Sequence, residues 1–416
     1  MKICWIAPNG GNYYAEDHIG SGGWIGVLEK ELLSRVDGIE LSIIFPSHKS
    51  IKPRSRSKIN YYPIYYPSGS KLSLFVRRSF PFLLKKSDER FIEDIYDKIK
   101  EIQPDIVHVW GVEHYYSRIV TKLSCPYVVH IQGLASSIYD YFLPHTIGVT
   151  ELSDFDGFFK HFIMHSGLAY KYYDFRKRVQ NELDIAGTVK NWIGRTEWDR
   201  IGAQCLNKNS RYFHCDELMR DEFKRMQWNY HYDECLNITS IVGEELYKGV
   251  DVVLKTALLL KQMNVNFRWQ LYGISRTSQI LKFFERRINI KAEDVNVACS
   301  GSLPSQALSV ALLDSDLYVH PSYIENSSNA IAEAMSLGLP IIAMYTGGNP
   351  TMLDGGTGIL SQPGDTYMLA YNILQMTNRE YACAFAEKAF AKARTRHDPS
   401  SVVNRLMDIY NIIING

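Results

Sequence analysis

At 416 residues the chain exceeds what one hydrophobic core organises, and cores of roughly 150 to 200 residues predict two domains. A formal net charge of +1 provides no broad basic field, which excludes non-specific nucleic-acid binding and leaves any anionic ligand to local chemistry. The seven cysteines (Cys4, Cys125, Cys205, Cys215, Cys235, Cys299, Cys383) are scattered and contain no Cys-x-x-Cys pair, arguing against a disulfide framework or zinc ribbon and for a reducing, cytoplasmic compartment.

The chain opens on KICWIA, a short buried strand too brief for a signal h-region. Gly20, Ser21, Gly22 and Gly23 then precede Trp24 to Leu33, a helix by period. Glycines admit a ligand that any Cβ would exclude, but the dinucleotide fingerprint fails, because Ile25 stands three residues after Gly22. ELSIIF, DIVHVW, YVVHI, WIGRT and RYFHC continue the strand-like runs of the first half. NITSIV, FRWQLYG, VNVACS, DLYVHP and PIIAMY form a second set, each followed by a helical stretch. Repeated strand, helix, strand order implies parallel sheets with helices on both faces, and two sets imply two doubly wound domains. The expected boundaries are 1–215, a polar linker at 216–236, and 237–399, with the last helix, about 400–416, crossing back to the first domain. No apolar run approaches the roughly 18 residues that span a bilayer, so any membrane contact should be peripheral.

The most informative stretch is YVHPSYIENSSNAIAEAMSLGLPIIA, from Tyr318 to Ala343. A strand ends at His320 and Pro321, a polar loop follows, and Ala330, Ile331, Ala334 and Met335 mark a helix face closed by Gly338 and Pro340. Ser327, Ser328 and Asn329 are N-cap candidates, and the helix N-terminus they form is suited to a phosphate. Glu325 in the loop and Glu333 in the second helical turn are placed for a donor sugar and a ribose. Two carboxylates near a diphosphate require a cation, for which Lys248, just after the domain's first strand, is the candidate. A Glu pair seen alone would read as solvated surface; the order around it is what suggests a site.

This stretch resembles the signature of glycosyltransferase family 4, Pro-Ser-x-x-Glu, seven residues, Glu-Ala-Met-x-x-Gly-x-Pro. It matches at Pro321, Ser322, Glu325, Glu333, Ala334, Met335, Gly338 and Pro340. GSGGWIGVLEKELLSR resembles the family's N-terminal glycine loop, and IVHVWGVEHYY, YVVHIQGLASS, NWIGRTEWDR and RYFHCDEL look like a bacterial subset that builds surface polysaccharides. The resemblance implies the GT-B fold, two facing Rossmann-like domains, and transfer with retention of configuration from a nucleotide-diphosphate sugar. It further implies no divalent metal or other cofactor and a glycan or lipid-linked acceptor. Glu325 and Lys248 are then the catalytic candidates. Gly22, Gly23, Ser327, Ser328, Asn329 and Glu333 become donor contacts, with UDP expected before GDP.

Two departures stand out. Gln132 occupies the slot where the family commonly has a histidine near the donor sugar, while His130, two residues earlier, either contributes or is packed. Gly243, followed by Glu244 and Glu245, occupies the slot of the family's diphosphate arginine. Arg195 is a candidate replacement cation or else a surface salt bridge, and Glu113 an acceptor contact or else a helix cap. Aromatic and basic residues between Ser136 and Arg178, and VRRSFPFLLKK, are either ordinary core and surface or a face for a lipid-linked acceptor at the inner side of a membrane. A sugar-nucleotide epimerase of the same fold and a catalytically inactive carbohydrate-binding relative stand as alternatives. A two-lobed solute-binding protein is a third, which the expected lack of an export signal disfavours.

Overall fold

The structure is a computed structural model that describes residues 1–14, 23–56, 58–66, 75–76, 79–144, 147–158, 160, 164, 166–230 and 234–416. The chain forms two compact units, one made of Met1–Tyr139, Gly148–Leu218 and Pro399–Gly416, the other of Asp140–Ile147 and Met219–Asp398.

The first unit holds β1 (Lys2–Ile6), β2 (Glu40–Ser47), β3 (Arg54–Arg56), β4 (Ile59–Tyr65), β5 (Ile106–Trp110), β6 (Tyr127–His130), β7 (Asn191–Gly194) and β8 (Arg211–His214). They form one sheet in the order β3-β4-β2-β1-β5-β6-β7-β8, parallel except for the β3–β4 pair. Side chains alternate across β1: Ile3 and Trp5 join one core, Cys4 and Ile6 the other. The helices Gly23–Arg35 and Pro399–Asn415 cover the first face with Leu28, Leu32, Val403, Leu406 and Tyr410. The helices Pro81–Ile102 and Leu168–Ala186 cover the second with Phe91, Ile95 and Ile185. The sequence pattern hides β4, because Pro63 breaks its run. That proline is tolerated where it lies: β3 pairs only with Ile59 to Tyr61, so beyond them the outer side of β4 requires no N–H.

The second unit holds β9 (Leu236–Ile241), β10 (Phe267–Tyr272), β11 (Val297–Cys299), β12 (Leu317–His320), β13 (Ile341–Met344) and β14 (Ile359–Ser361), all parallel, in the order β11-β10-β9-β12-β13-β14. The helix Val250–Gln262 buries Val250, Val253, Leu254, Ala257 and Leu260, a stripe at the 3.6-residue period.

The stretch expected to be a polar linker, 216–236, is packed. Leu218 belongs to the core of the first unit, while Met219, Phe223 and Trp228 belong to that of the second. Trp228 donates through its backbone N–H to the Leu337 carbonyl (2.8 Å) and through its indole to that of Ser315 (2.7 Å). Charged neighbours hide this apolar spacing, in which Met219, Phe223 and Trp228 follow one another at four and five residues.

Candidate functional site

In the second sheet β9 comes first in sequence, with β10 and β11 on one side and β12 to β14 on the other. The chain therefore reverses its winding between β9 and β12, and in open parallel sheets the carboxyl ends at such a point are where ligands bind. Three loops converge there. Leu246–Lys248 is a 3₁₀ turn ended by Gly249 at φ 76°, where a Cβ would lie 2.1 Å from the Pro321 carbonyl oxygen. The Tyr323 N–H donates to the Tyr247 carbonyl (2.8 Å) and the Thr346 hydroxyl to the Tyr323 carbonyl (2.8 Å). Gly347, at φ 51°, lets its loop approach Glu325 so closely that a Cβ would fall 1.7 Å from the Glu325 carbonyl oxygen, which accepts from Gly348 N–H at 3.1 Å. Only glycine fits either position.

These loops bring Lys248 and Glu325 together. Lys248 Nζ donates to Glu325 Oε1 (3.0 Å) and Oε2 (2.8 Å), and His320 Nε2 lies 3.0 Å from Oε2. Because a carboxylate only accepts, His320 donates through Nε2, and its Nδ1 faces the Tyr318 hydroxyl at 2.9 Å. Burial alone would raise the Glu325 carboxyl; Lys248 and His320 outweigh it and hold the group well below the usual carboxylate range. Burial works against the Lys248 ammonium, but the Glu325 carboxylate, with Tyr247 and Glu245, leaves it above its ordinary value. Sequence reasoning alone gives His320 no role, although its place at the end of β12, five residues before Glu325, is the signal that marks it.

Ser328 is the N-cap of the helix Asn329–Leu337, its hydroxyl accepting from Ile331 N–H at 3.3 Å, and Gly338 closes the helix at φ 75°. Ser327 is buried, its hydroxyl directed at Met352 Sδ (3.7 Å), and Asn329 is exposed. Glu333, one turn into the helix and only 7% exposed, is ion-paired to Arg220, whose guanidinium lies 4.9 Å from the Phe223 ring. Burial pushes the Glu333 carboxyl up and Arg220 partly offsets it. Arg220 lies hidden in the supposed linker. Each signature glutamate thus has its own cation, which removes the repulsion two bare carboxylates would impose on an anion. At Gly243 a Cβ would meet Glu245 Oε2 at 2.3 Å, and the neighbouring Glu244 accepts from Ser278 at 2.6 Å.

The candidates of the first unit have other surroundings. Gly22 lies outside the described residues; Gly23, at φ 53°, begins its helix. Glu113 follows Gly111 past the end of β5 and pairs through Oε1 with His114 Nε2 at 3.2 Å; the next 3₁₀ turn, Tyr115–Thr121, has His114 as its N-cap, so Glu113 does not cap it. Gln132 is half-buried just beyond β6. His130 is 1% exposed and packed in an aromatic stack, 4.6 Å from Trp110 and 5.3 Å from His108, with Trp24 edge-on at 5.4 Å. Its Nδ1 lies 3.3 Å from His108 Nε2; His108 Nδ1 meets the Tyr410 hydroxyl at 2.6 Å, and that hydroxyl accepts from Trp5 Nε1 at 3.0 Å. Burial lowers His108 to about 3 and His130 well below its ordinary value, so both are neutral. Arg195 is no surface salt bridge: it is 2% exposed, with Nε 3.9 Å from Glu217 and its guanidinium 5.1 Å from the Trp24 ring. In the aromatic segment, whose Asp140–Ile147 part belongs to the second unit, Phe142 is buried and Tyr139 stacks on Tyr172 at 4.8 Å, whereas Tyr141 and Tyr173 are exposed. Phe159 and Phe162, and Arg77 and Arg78 of VRRSFPFLLKK, lie outside the described residues.

Residues 237–379 match the family described as glycosyl transferases group 1, so the region that holds Lys248, Glu325 and Glu333 is the matched one. WcaL of Escherichia coli (strain K12), named for a glycosyltransferase role in colanic acid biosynthesis, is 26% identical over 178 residues, 41% of this chain and 43% of that protein. The sulfoquinovosyl transferase SQD2 of Arabidopsis thaliana is 40% identical over 70 residues, 16% of this chain and 14% of that protein. The chain thus spans under half the length of these curated relatives. Among solved structures, sucrose-phosphate synthase from Thermosynechococcus elongatus superposes with a TM-score of 0.73 at 14% identity, covering 100% of this chain and 99% of that one. Anabaena Alr3699/HepE in complex with UDP and glucose gives 0.64 at 13% identity, covering 99% of both chains. The fold is therefore GT-B, with two Rossmann-like units, and residues 237–379 are similar to glycosyl transferases group 1.

Proposed function

We propose that this chain transfers a sugar, with retention of configuration, from a nucleoside-diphosphate sugar to a glycan or lipid-linked acceptor in surface-polysaccharide synthesis. The carrying observation is the meeting of Lys248 and Glu325 at the winding reversal, beside a helix N-terminus with Glu333 one turn in. The first N–H groups of that helix, at Asn329 and Ala330, belong to those without an intrahelical acceptor, and its positive dipole end favours a phosphate. Lys248 adds a point charge for the departing diphosphate, and the negative charge that develops there is what such a site has most to stabilise. Glu325, kept ionised by Lys248 and His320, is placed to accept hydrogen bonds from the donor sugar and orient it. Glu333 accepts from the ribose. No protein base is assigned, because in a retaining reaction the leaving phosphate can take the acceptor's proton.

UDP is the proposed nucleotide. Alr3699/HepE is described with UDP and with UDP-glucose, and an Escherichia coli trehalose-6-phosphate synthase structure with UDP-2-fluoro glucose. We place the work at the inner face of the cell membrane, with exposed Tyr141 and Tyr173 as candidate contacts.

The test is sugar transfer by wild type, Glu325→Gln and Lys248→Ala with a panel of UDP- and GDP-sugars. Both variants should fall by about 10²–10³-fold, and wild-type rates in both would overturn the assignment. Incubation with UDP-sugar alone separates an epimerase, which makes a new sugar nucleotide without acceptor, and measurable turnover excludes an inactive relative.

A further inference from the structure

We infer that Arg220 is the positioning residue of the ribose subsite and makes the donor site selective for ribonucleotides over 2′-deoxyribonucleotides. The inference rests on the donor site proposed above and adds a residue to it from outside the signature.

A carboxyl only 7% exposed is driven towards its neutral form by burial, and a neutral Glu333 would be a poorer acceptor for a hydroxyl. Arg220 opposes this through an ion pair made by Nη2 to Oε1 alone. Among the described residues Glu333 Oε2 takes part in no hydrogen bond, so one oxygen is pinned and the other is an open acceptor on a fixed plane. Arg220 itself is held from below, where the fully buried Phe223 ring lies 4.9 Å from the guanidinium, and it begins the turn Asp221–Phe223 that anchors this stretch in the core. A planar guanidinium stacked on a ring and directed at one carboxylate oxygen fixes orientation in a way a lysine ammonium cannot. A pinned carboxylate with one free oxygen suits a sugar hydroxyl. An acceptor built for a hydroxyl also penalises a ligand that lacks it, because a buried group is left unpaired.

The experiment is calorimetric titration of UDP, GDP and ADP, then of the 2′-deoxy form of the tightest binder, into wild type, Arg220→Met, Arg220→Lys and Glu333→Gln. Thermal melts verify that each variant is folded. Wild type should prefer the ribonucleotide by at least about tenfold, since such sites reject the hydroxyl-less analogue strongly. Arg220→Met should bind both forms within about threefold of each other, as Glu333→Gln does, and Arg220→Lys should recover part of the preference. If Arg220→Met discriminates as wild type does while Glu333→Gln loses discrimination, Arg220 has no such role and the donor site stands. If wild type discriminates and Glu333→Gln does too, the hydroxyl is read elsewhere and this inference fails alone. If wild type binds none of the three nucleotides, the donor-site reading fails and takes the inference with it.

Discussion

The two Rossmann-like units treat the same residue types in opposite ways. In the second, charged side chains meet at the carboxyl edge in ion pairs: Lys248 with Glu325, which holds that carboxyl low, and Arg220 with Glu333, which opposes the upward push of burial. In the first, His130, a candidate from the sequence, and its neighbour His108 are packed among Trp24, Trp110 and Tyr410 and held neutral by burial. Position in a sheet does not assign a role; the partner that fixes the charge state does.

The largest expected effect separates the units directly. Lys248→Ala should cut sugar transfer by about 10²–10³-fold, whereas Tyr410→Phe, which loses the hydroxyl between Trp5 and His108, should cost about 1–3 kcal/mol in thermal or urea unfolding and leave nucleotide affinity unchanged. Loss of nucleotide binding in Tyr410→Phe would break the contrast. Next come the glycines that let the loops meet. Gly347→Ala and Gly249→Ala each force a left-handed backbone on alanine, at a strain of about 1–3 kcal/mol, and thrust a Cβ onto a carbonyl oxygen. Both should lower the unfolding midpoint and weaken nucleotide binding together.

Acidification should distinguish the units further. His108 titrates near 3 in the folded chain against an ordinary 6.5, so below pH 6.5 the unfolded state binds more protons and stability falls as pH drops, on the order of 1 kcal/mol per pH unit. The Glu325 carboxyl is shifted the other way for its type, below an ordinary 4.5, so the stability it contributes is complete above that pH and lost only below it. Between pH 6.5 and 4.5 His108 should therefore withdraw stability while the Lys248–Glu325 pair holds, and His108→Gln should remove that part of the slope in pH-dependent melts. The smallest effect is expected at Tyr367 and Tyr371, 77% and 59% exposed; serine at either should change stability by no more than about 0.5 kcal/mol.

Much of the fold was legible because parallel strands buried on both faces read as dense apolar runs. All eleven runs singled out in the sequence correspond to strands. β4 escaped through Pro63, and β14 is three residues long. The approach of Glu325, Glu333 and Lys248 to one sheet edge was legible because a motif fixes spacing along a loop and helix. Their partners were not. Arg220 reaches Glu333 from 113 residues away, and Tyr410 reaches His108 from 302 away, and no local period records such a contact. The surface alternative for Arg195 failed because a polar residue after a strand end reads as exposed, whereas this one is buried beside Trp24.

The most direct test of the central claim is the thermal stability of wild type and Lys248→Ala with UDP, GDP, ADP and their sugars. One nucleoside diphosphate should raise the wild-type unfolding midpoint, by the equivalent of about 2.7 kcal/mol at a hundredfold excess over its Kd, and most of that rise should vanish in Lys248→Ala. No shift with any of them, or an equal shift in both proteins, would contradict the account.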